Sequence, residues 1–195
     1  MNKTGIIILA AGNSSRLGRP KQLLPYKGKT LITHITSEAL QTSLDPIVVV
    51  TGAFAGEVQD ELKNVRGITI AYNQYWNTGM ASGIVTGLSK TLSLQPDIAA
   101  LILAVCDQPF INAGLFQQLI VKKDESRNGI VACAYSDTIG TPVLFARRYF
   151  EELSQLSGNE GAKKLLQRHK EDLATVVFPG GNIDIDTEED YQKLF

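Results

Sequence analysis

The sequence predicts one α/β domain over residues 1–195, a three-layer sandwich with helices on both faces of a mixed, mostly parallel sheet. Three observations carry this. Short β-branched apolar runs alternate with longer stretches of helical periodicity, the pattern of strand–helix–strand units. The runs at Gly5–Leu9, Pro46–Thr51 and Ile98–Val105 are almost continuously apolar, as in strands buried on both faces. No fixed-period repeat, low-complexity tract or Pro/Gly/Ser-rich linker divides the chain.

Taken in order, Gly5–Leu9 reads as the first strand, followed by a loop rich in Gly, Ser and Arg. Thr30 is placed as an N-cap, with Leu31, Ile32, Ile35, Ala39 and Leu40 at helical spacing behind it. Pro46–Thr51 is a strand, Glu57–Lys63 a short helix and Ile68–Ala71 a strand. Met80–Leu92 is a helix with Ile84, Leu88 and Leu92 on one side, Ile98–Val105 a strand, and Asn112–Val121 a helix. Gly129–Tyr135 and Thr141–Phe145 are strands joined by a short gap, so part of the sheet is expected to be antiparallel. Arg147–Leu153 and Glu160–His169 read as helices, Thr175–Phe178 as a strand and Thr187–Phe195 as a final helix. An acidic first turn at Glu188, Glu189 and Asp190 favours that last helix.

Composition removes several classes of function. With 19 Lys and Arg against 20 Asp and Glu, the formal charge is −1, so no global basic field holds nucleic acid or an anionic membrane. The longest apolar run, Ile98–Cys106, is too short to span a bilayer, and Met1–Thr4 lacks the features of a signal peptide. Cys106 and Cys133 form no disulfide framework, which fits a reducing cytoplasm.

Open α/β sheets bind ligands beyond the carboxyl ends of their strands. After the first strand stands Ala10-Ala11-Gly12-Asn13-Ser14-Ser15-Arg16-Leu17-Gly18-Arg19-Pro20-Lys21, with small residues, two hydroxyls and three cations. Close backbone approach together with cations suits an oligophosphate; alone, the same loop reads equally as a solvated surface turn. It is not a Walker loop, because Gly28-Lys29-Thr30 has Leu23 where the first glycine belongs, and no Gly-x-Gly-x-x-Gly occurs. Asp107, after the strand ending at Val105, and Asp186, just before a helix, are each either a cap or a ligand to a hard cation. Together with the loop they describe a site for a nucleoside triphosphate and Mg²⁺.

These residues resemble the molybdenum cofactor cytidylyltransferase family, within the MobA-like nucleotidyltransferases. The resemblance covers nearly the whole length. It rests on Leu9–Gly18 with Pro20-Lys21-Gln22-Leu23-Leu24-Pro25, Asn73 with Trp76, Gly79-Met80 and Ser82, Cys106-Asp107-Gln108-Pro109, Gly140–Phe145, and Asp184-Ile185-Asp186-Thr187 with Glu189-Asp190. It implies a Rossmann-like sandwich of the nucleotide-diphospho-sugar transferase type. By resemblance, Leu9, Ala10, Ala11 and Gly12 lie against the nucleotide, Arg16 and Lys21 hold its phosphates, and Asn73, Gly79 and Ser82 shape the base and ribose pocket. The resemblance further implies that Arg16, Lys21 and Asp107 carry catalysis, that Asp107 and Asp186 bind Mg²⁺, and that Gly140, Thr141 and Pro142 face the acceptor. The implied substrates are CTP and molybdopterin, with a molybdenum hydroxylase as a further partner. Asn159 in Gly158-Asn159-Glu160-Gly161-Ala162 departs from the family's Gly-Asp, on the acceptor side. The alternatives are transfer to a sugar or polyol phosphate, and a non-catalytic protein that delivers the cofactor.

The family's Leu-Ala-Ala-Gly members tend to take CTP and its Leu-Ala-Gly-Gly members GTP, so Ala11 points to cytidine. Ala11→Gly is expected to relax the preference toward GTP, since loss of the methyl makes room for a larger base. Competition binding of CTP and GTP checks this, and unchanged discrimination would remove Ala11 as the determinant.

Overall fold

The computed structural model describes residues 3–195. The chain opens with β1 (Thr4–Ala10) and passes through a long loop into the small hairpin β2 (Pro25–Tyr26) and β3 (Lys29–Thr30). Next come α1 (Leu31–Leu40), β4 (Ile47–Thr51), α2 (Ala55–Leu62), β5 (Thr69–Tyr72) and α3 (Met80–Leu94). The second half holds β6 (Ala100–Val105), α4 (Ala113–Ser126), β7 (Ile130–Tyr135), β8 (Thr138–Ala146), α5 (Phe150–Ser154), α6 (Ala162–Arg168), β9 (Leu173–Val177) and α7 (Glu188–Gln192).

Seven of these strands form one sheet in the order β5-β4-β1-β6-β8-β7-β9. β1 pairs in parallel with β4 on one side and β6 on the other, and β5 extends the β4 edge in parallel. Only β8 runs antiparallel to its neighbours, between β6 and β7, and β9 closes the far edge parallel to β7. The sheet is therefore mixed and mostly parallel, as the alternating pattern predicts.

Successive residues of each strand enter opposite layers. Ile6, Ile8, Val49 and Ile102 pack with Ile32, Ile35, Val58 and Phe116 of α1, α2 and α4. Ile7, Val50, Leu103 and Phe145 pack with Ile84, Leu88, Phe150 and Leu165 on the other face. A Cβ on Gly87 would lie 2.4 Å from Ile7 Cγ2, so this glycine sets how closely α3 approaches the sheet.

Several boundaries differ from the periodicity. α4 runs on to Ser126 because its last turn is polar and solvated and carries no apolar repeat. The Arg147–Leu153 stretch divides into a 3-10 turn at Arg147–Tyr149 followed by α5. The final helix keeps only Glu188–Gln192, held by a capping box between Thr187 and Asp190. The β2–β3 hairpin is too short to leave a strand pattern; its turn residues Lys27 and Gly28 both take positive φ. Among the described residues, no helix is long and apolar enough to cross a membrane.

One polar junction fastens the second half. Asp172 accepts from the Gly129 N–H at 2.9 Å, from the Arg148 guanidinium and from the Tyr149 hydroxyl. Desolvation pushes its carboxyl up, but the Tyr149, Gly129 and Arg148 hydrogen bonds outweigh this and hold it below the usual aspartate value. A depressed carboxyl stabilises the fold above its unfolded pKa of 3.8, and that contribution fades as pH falls through the folded value. Asp172→Asn is expected to cost about 1–3 kcal/mol at neutral pH. Urea unfolding at pH 7 and again well below 3.8 checks it: the gap between the two proteins closes in acid, and an equal gap at both pH values would assign the loss to shape instead of charge.

Candidate active site

The site begins where β1 and β6 end together, with Leu9 paired to Val105. β1 connects outward to β4 and β5, and the chain then returns to β6 on the other side of β1. This reversal opens a crevice at the strand ends. It forms a cavity of about 700 Å³, the size of a small-molecule site. Its floor is Leu9 and Ala10 at the end of β1 with Ala11 and Gly12 just beyond it, and Val105 at the end of β6 with Cys106 and Asp107 just beyond; Asn13, Arg16, Lys21 and Gln22 form one wall. Asn73, Trp76, Asn77, Gly79, Met80, Gly83 and Asn159 form the opposite wall.

The loop after β1 is folded on itself by its own small polar groups. The Ser14 carbonyl accepts the N–H groups of Leu17 and Gly18, both at 3.0 Å, and its hydroxyl accepts the Lys21 N–H at 3.0 Å. Gln22 is fully buried and donates its amide to the Ala10 and Gly12 carbonyls at 3.0 and 2.9 Å. That bracket turns Lys21 back over the end of β6. Arg19, the third cation of the loop, leaves the site and pairs with Glu188 of α7 at 2.7 Å.

Lys21 Nζ lies 2.5 Å from Asp107 Oδ2 and 3.0 Å from Asp186 Oδ1. Arg16 reaches the other Asp186 oxygen at 2.6 Å. Burial alone would lower the lysine pKa, but the Asp107 charge and the hydrogen bonds from Asp107 and Asp186 raise it above the ordinary lysine range. Asp186 shows the converse: desolvation would raise it, yet Lys21 and Arg16 hold it below the usual carboxylate value. Asp184 stands beside them, pushed up to about 6 by desolvation and by the Asp107 charge. Burial, then Asp107, pushes the Cys106 thiol up to about 12, so it is no nucleophile at neutral pH.

Two carboxylates that close on one ammonium have the spacing and charge to close on a divalent cation, so Asp107 and Asp186 fit a metal. Among the described residues no group of three or more His, Cys, Asp or Glu could hold one alone. A hard ion that keeps waters and substrate phosphates as its other ligands suits such a two-carboxylate site.

The opposite wall rests on a tight turn. Asn73 is buried; its amide donates to the Ser82 hydroxyl at 2.8 Å and its carbonyl accepts the Tyr75 N–H at 3.0 Å. The Ser82 hydroxyl also lies 2.9 and 2.8 Å from the Tyr75 and Gly79 carbonyls. Ser82 lines the groove behind the turn and not the cavity, so it acts on the wall through Asn73. Gly79 has φ +119°, and a Cβ there would meet the Gly158 carbonyl at 2.2 Å. The Gly158–Asn159 loop docks at this point, with the Ala81 N–H donating to the Gly158 carbonyl at 3.1 Å, and carries Asn159 into the cavity.

Gly140, Thr141 and Pro142 do not line the cavity. Pro142 is buried, whereas Gly140 lies against the Tyr135 ring and hydroxyl. Both histidines lie elsewhere: His34 meets the Ile111 carbonyl at 3.1 Å and His169 pairs with Glu152. The basic surface of α6 is partly neutralised, since Lys164 pairs with Glu160 and Arg168 with Glu152. Gln22, Asn77, Gly83 and Asp184 are site or support residues to which the sequence assigns no role. Of these, only Gln22 and Asp184 sit inside the motifs, beside the charged residues that draw the eye.

The fold and this site define a nucleotidyltransferase. Residues 6–173 match the MobA-like NTP transferase domain family, and the chain belongs to it. It is 30% identical over 200 residues to a nicotine blue oxidoreductase of Paenarthrobacter nicotinovorans, covering 96% of this chain and 94% of that protein. It is 26% identical to the purine catabolism protein PucB of Bacillus subtilis, again over 96% and 94% of the two chains. The crystal structure of Rv0371c from Mycobacterium tuberculosis matches with a TM-score of 0.84 at 28% identity, over 99% and 97% of the chains. A manganese complex of Rv0371c matches at 0.79 and 25% identity, over 100% and 98%. Molybdopterin-guanine dinucleotide biosynthesis protein A of Archaeoglobus fulgidus shares the fold at a TM-score of 0.69 and 18% identity, over 97% and 96%.

Gln22→Met removes both donors from the Ala10 and Gly12 carbonyls and is expected to cost about 1–3 kcal/mol of stability. The loosened loop should also weaken nucleotide binding by about tenfold, or 1.4 kcal/mol. Urea denaturation and nucleotide titration check the two effects. Unchanged values in both would remove Gln22 as the bracket of the loop.

Proposed function

We propose that the protein transfers CMP from CTP to the terminal phosphate of molybdopterin, with Mg²⁺ and release of pyrophosphate. The observation that carries this is the convergence of Asp107 and Asp186 on one cation, beside the Arg16–Lys21 loop and at the edge of a nucleotide-sized cavity. The reduced, buried Cys106 and Cys133 favour a cytoplasmic site of action.

In this reaction an oxygen of the acceptor phosphate forms a bond to the α-phosphorus of CTP. The bond from that phosphorus to the β-phosphate bridging oxygen breaks, and its electrons leave with pyrophosphate. A phosphate monoester has a second pKa of about 6, so at neutral pH it attacks without a general base. That agrees with a cavity lined by no histidine. Asp107 and Asp186 would hold the divalent ion, which would supply Lewis-acid charge stabilisation to the phosphates. Lys21 and Arg16 bind the β- and γ-phosphates and stabilise the charge that develops on the leaving group. Ala10, Ala11 and Gly12 present main chain to the nucleotide, and the Asn73–Gly79 turn closes the base side. Tyr135, Gly140 and Thr141 border the acceptor side, and Asn159 adds a neutral amide to the Asn73–Gly79 wall.

The decisive measurement is pyrophosphate release from each of the four NTPs with Mg²⁺, with and without molybdenum-loaded molybdopterin. Release from CTP only with the cofactor present is the expected result, and Asp107→Ala and Asp186→Ala should each lower it by about 100-fold or more while the fold stays intact. Release with a sugar or polyol phosphate instead would change the acceptor. Cofactor binding with no release from any NTP would make the protein a carrier. Because one relative is named an oxidoreductase, a parallel arm follows a reduced nicotinamide cofactor; turnover there without pyrophosphate release would overturn CMP transfer.

A further inference from the structure

The ion pairs that organise the site imply an order of events. We propose that Lys21 is the resident cation of the metal position: in the free protein its ammonium occupies the space between Asp107 and Asp186, and a divalent ion enters only when a nucleotide triphosphate draws Lys21 away. The proposal rests on the metal assignment made above and adds a regulation of that same site.

The geometry is specific. One ammonium meets Asp107 Oδ2 at 2.5 Å and Asp186 Oδ1 at 3.0 Å, while Arg16 takes Asp186 Oδ2 at 2.6 Å. Both Asp186 oxygens are therefore engaged by cations. The Lys21 side chain is 15% exposed and the Asp107 side chain 19%, so bulk water screens this pair only partly. A divalent ion bonding the same oxygens would stand within a few ångströms of the ammonium, and like charges at that distance repel strongly in a partly desolvated site. The two carboxylates are already matched by the two cations that pair with them, and Asp184 is the one further carboxylate beside them, so a divalent ion gains most of its counter-charge only when phosphates arrive.

A triphosphate resolves the conflict. Its oxygens offer Lys21 and Arg16 new partners while supplying the ligands that two carboxylates cannot provide to a hard cation. Lysine suits this exchange, because its point charge sits on a flexible stem and can re-aim without losing directional bonds. The lysine backbone stays fixed by the Ser14 hydroxyl and by the neighbouring Gln22 bracket, so only the side chain need move. Linkage makes the coupling reciprocal: if nucleotide favours the metal, metal favours the nucleotide by the same factor.

Mn²⁺ binding to the whole protein, followed by the loss of the free-ion electron paramagnetic resonance signal, tests this without turnover. Wild type without nucleotide should bind Mn²⁺ about tenfold or more weakly than Lys21→Met, a difference within the range of ordinary site–site coupling. CTP added without acceptor to wild type should remove far more free Mn²⁺ than CTP alone and protein alone together account for. Arg16→Gln, which frees one Asp186 oxygen and leaves Lys21 in place, should give a smaller gain and serves if Lys21→Met is poorly folded by circular dichroism. The site gained in Lys21→Met must disappear in Lys21→Met/Asp186→Asn. Equal Mn²⁺ affinity in nucleotide-free wild type, Lys21→Met and Arg16→Gln, lost on Asp186→Asn, would overturn the exchange and leave the metal assignment standing. No Mn²⁺ bound by any of them, and with CTP none beyond what CTP alone binds, would overturn the metal assignment itself and the exchange with it.

Discussion

The parallel pairing of β1 with β6 is the constraint from which the site follows. With Leu9 in register with Val105, the loop that leaves β1 and the loop that leaves β6 start side by side. The first carries Arg16 and Lys21, the second Asp107. Neither loop alone is a site: a glycine-containing turn with cations is a common surface feature, and an aspartate after a strand is a common cap. Joined at one sheet edge, they place a cation against a carboxylate in a partly desolvated crevice, where electrostatics is stronger than in water.

The third part of the site comes from the segment before α7. Ile185 is fully buried in a small cluster with Leu24, Tyr26 and Leu31, and its N–H donates to the Asp107 carbonyl at 3.0 Å. That anchor sets Asp186 across Lys21 from Asp107. The capping box at Thr187 and Asp190, with the Arg19–Glu188 pair, then fixes α7 against the same loop. Nonpolar packing thus sets the distance between two carboxylates that would otherwise repel each other. The cations between them make that distance tolerable.

The parallel half of the fold was legible because buried strands leave unbroken apolar runs and the helices between them keep a 3.6 period. Thr30 as a cap and the antiparallel turn after Tyr135 follow from similarly local chemistry. The ends of α4 and α7 were less so: the last turn of α4 is polar and carries no apolar signal, whereas the apolar Leu194 and Phe195 extend the α7 pattern past Gln192. In the site, Arg16, Lys21, Asp107 and Asp186 stood out by charge and by their place after strands, and the structure brings these four together. Gln22 carries no charge, and its importance lies in two backbone carbonyls that no motif announces. The resemblance places Ser82 in the base and ribose pocket, yet its hydroxyl faces the Asn73 turn. Asn159 reaches the cavity only because Gly79, with its positive φ, leaves room for the Gly158 carbonyl; that contact between distant segments has no local signature.

The same ion pairs explain why the residues most legible as catalytic are also structural in the free protein. Lys21 neutralises Asp107 and Asp186, so removing the lysine alone leaves two carboxylates facing each other, and removing one carboxylate leaves an ammonium with half its partners. Loss of activity in either variant is therefore ambiguous between lost phosphate binding and a rearranged site. Binding measurements without turnover separate the two, because a phosphate ligand and a metal surrogate move the affinity for a bare divalent ion in different ways. A lysine that only holds phosphates leaves that affinity nearly unchanged when it is removed. One that occupies the metal position weakens the ion's binding for as long as no polyanion competes for it.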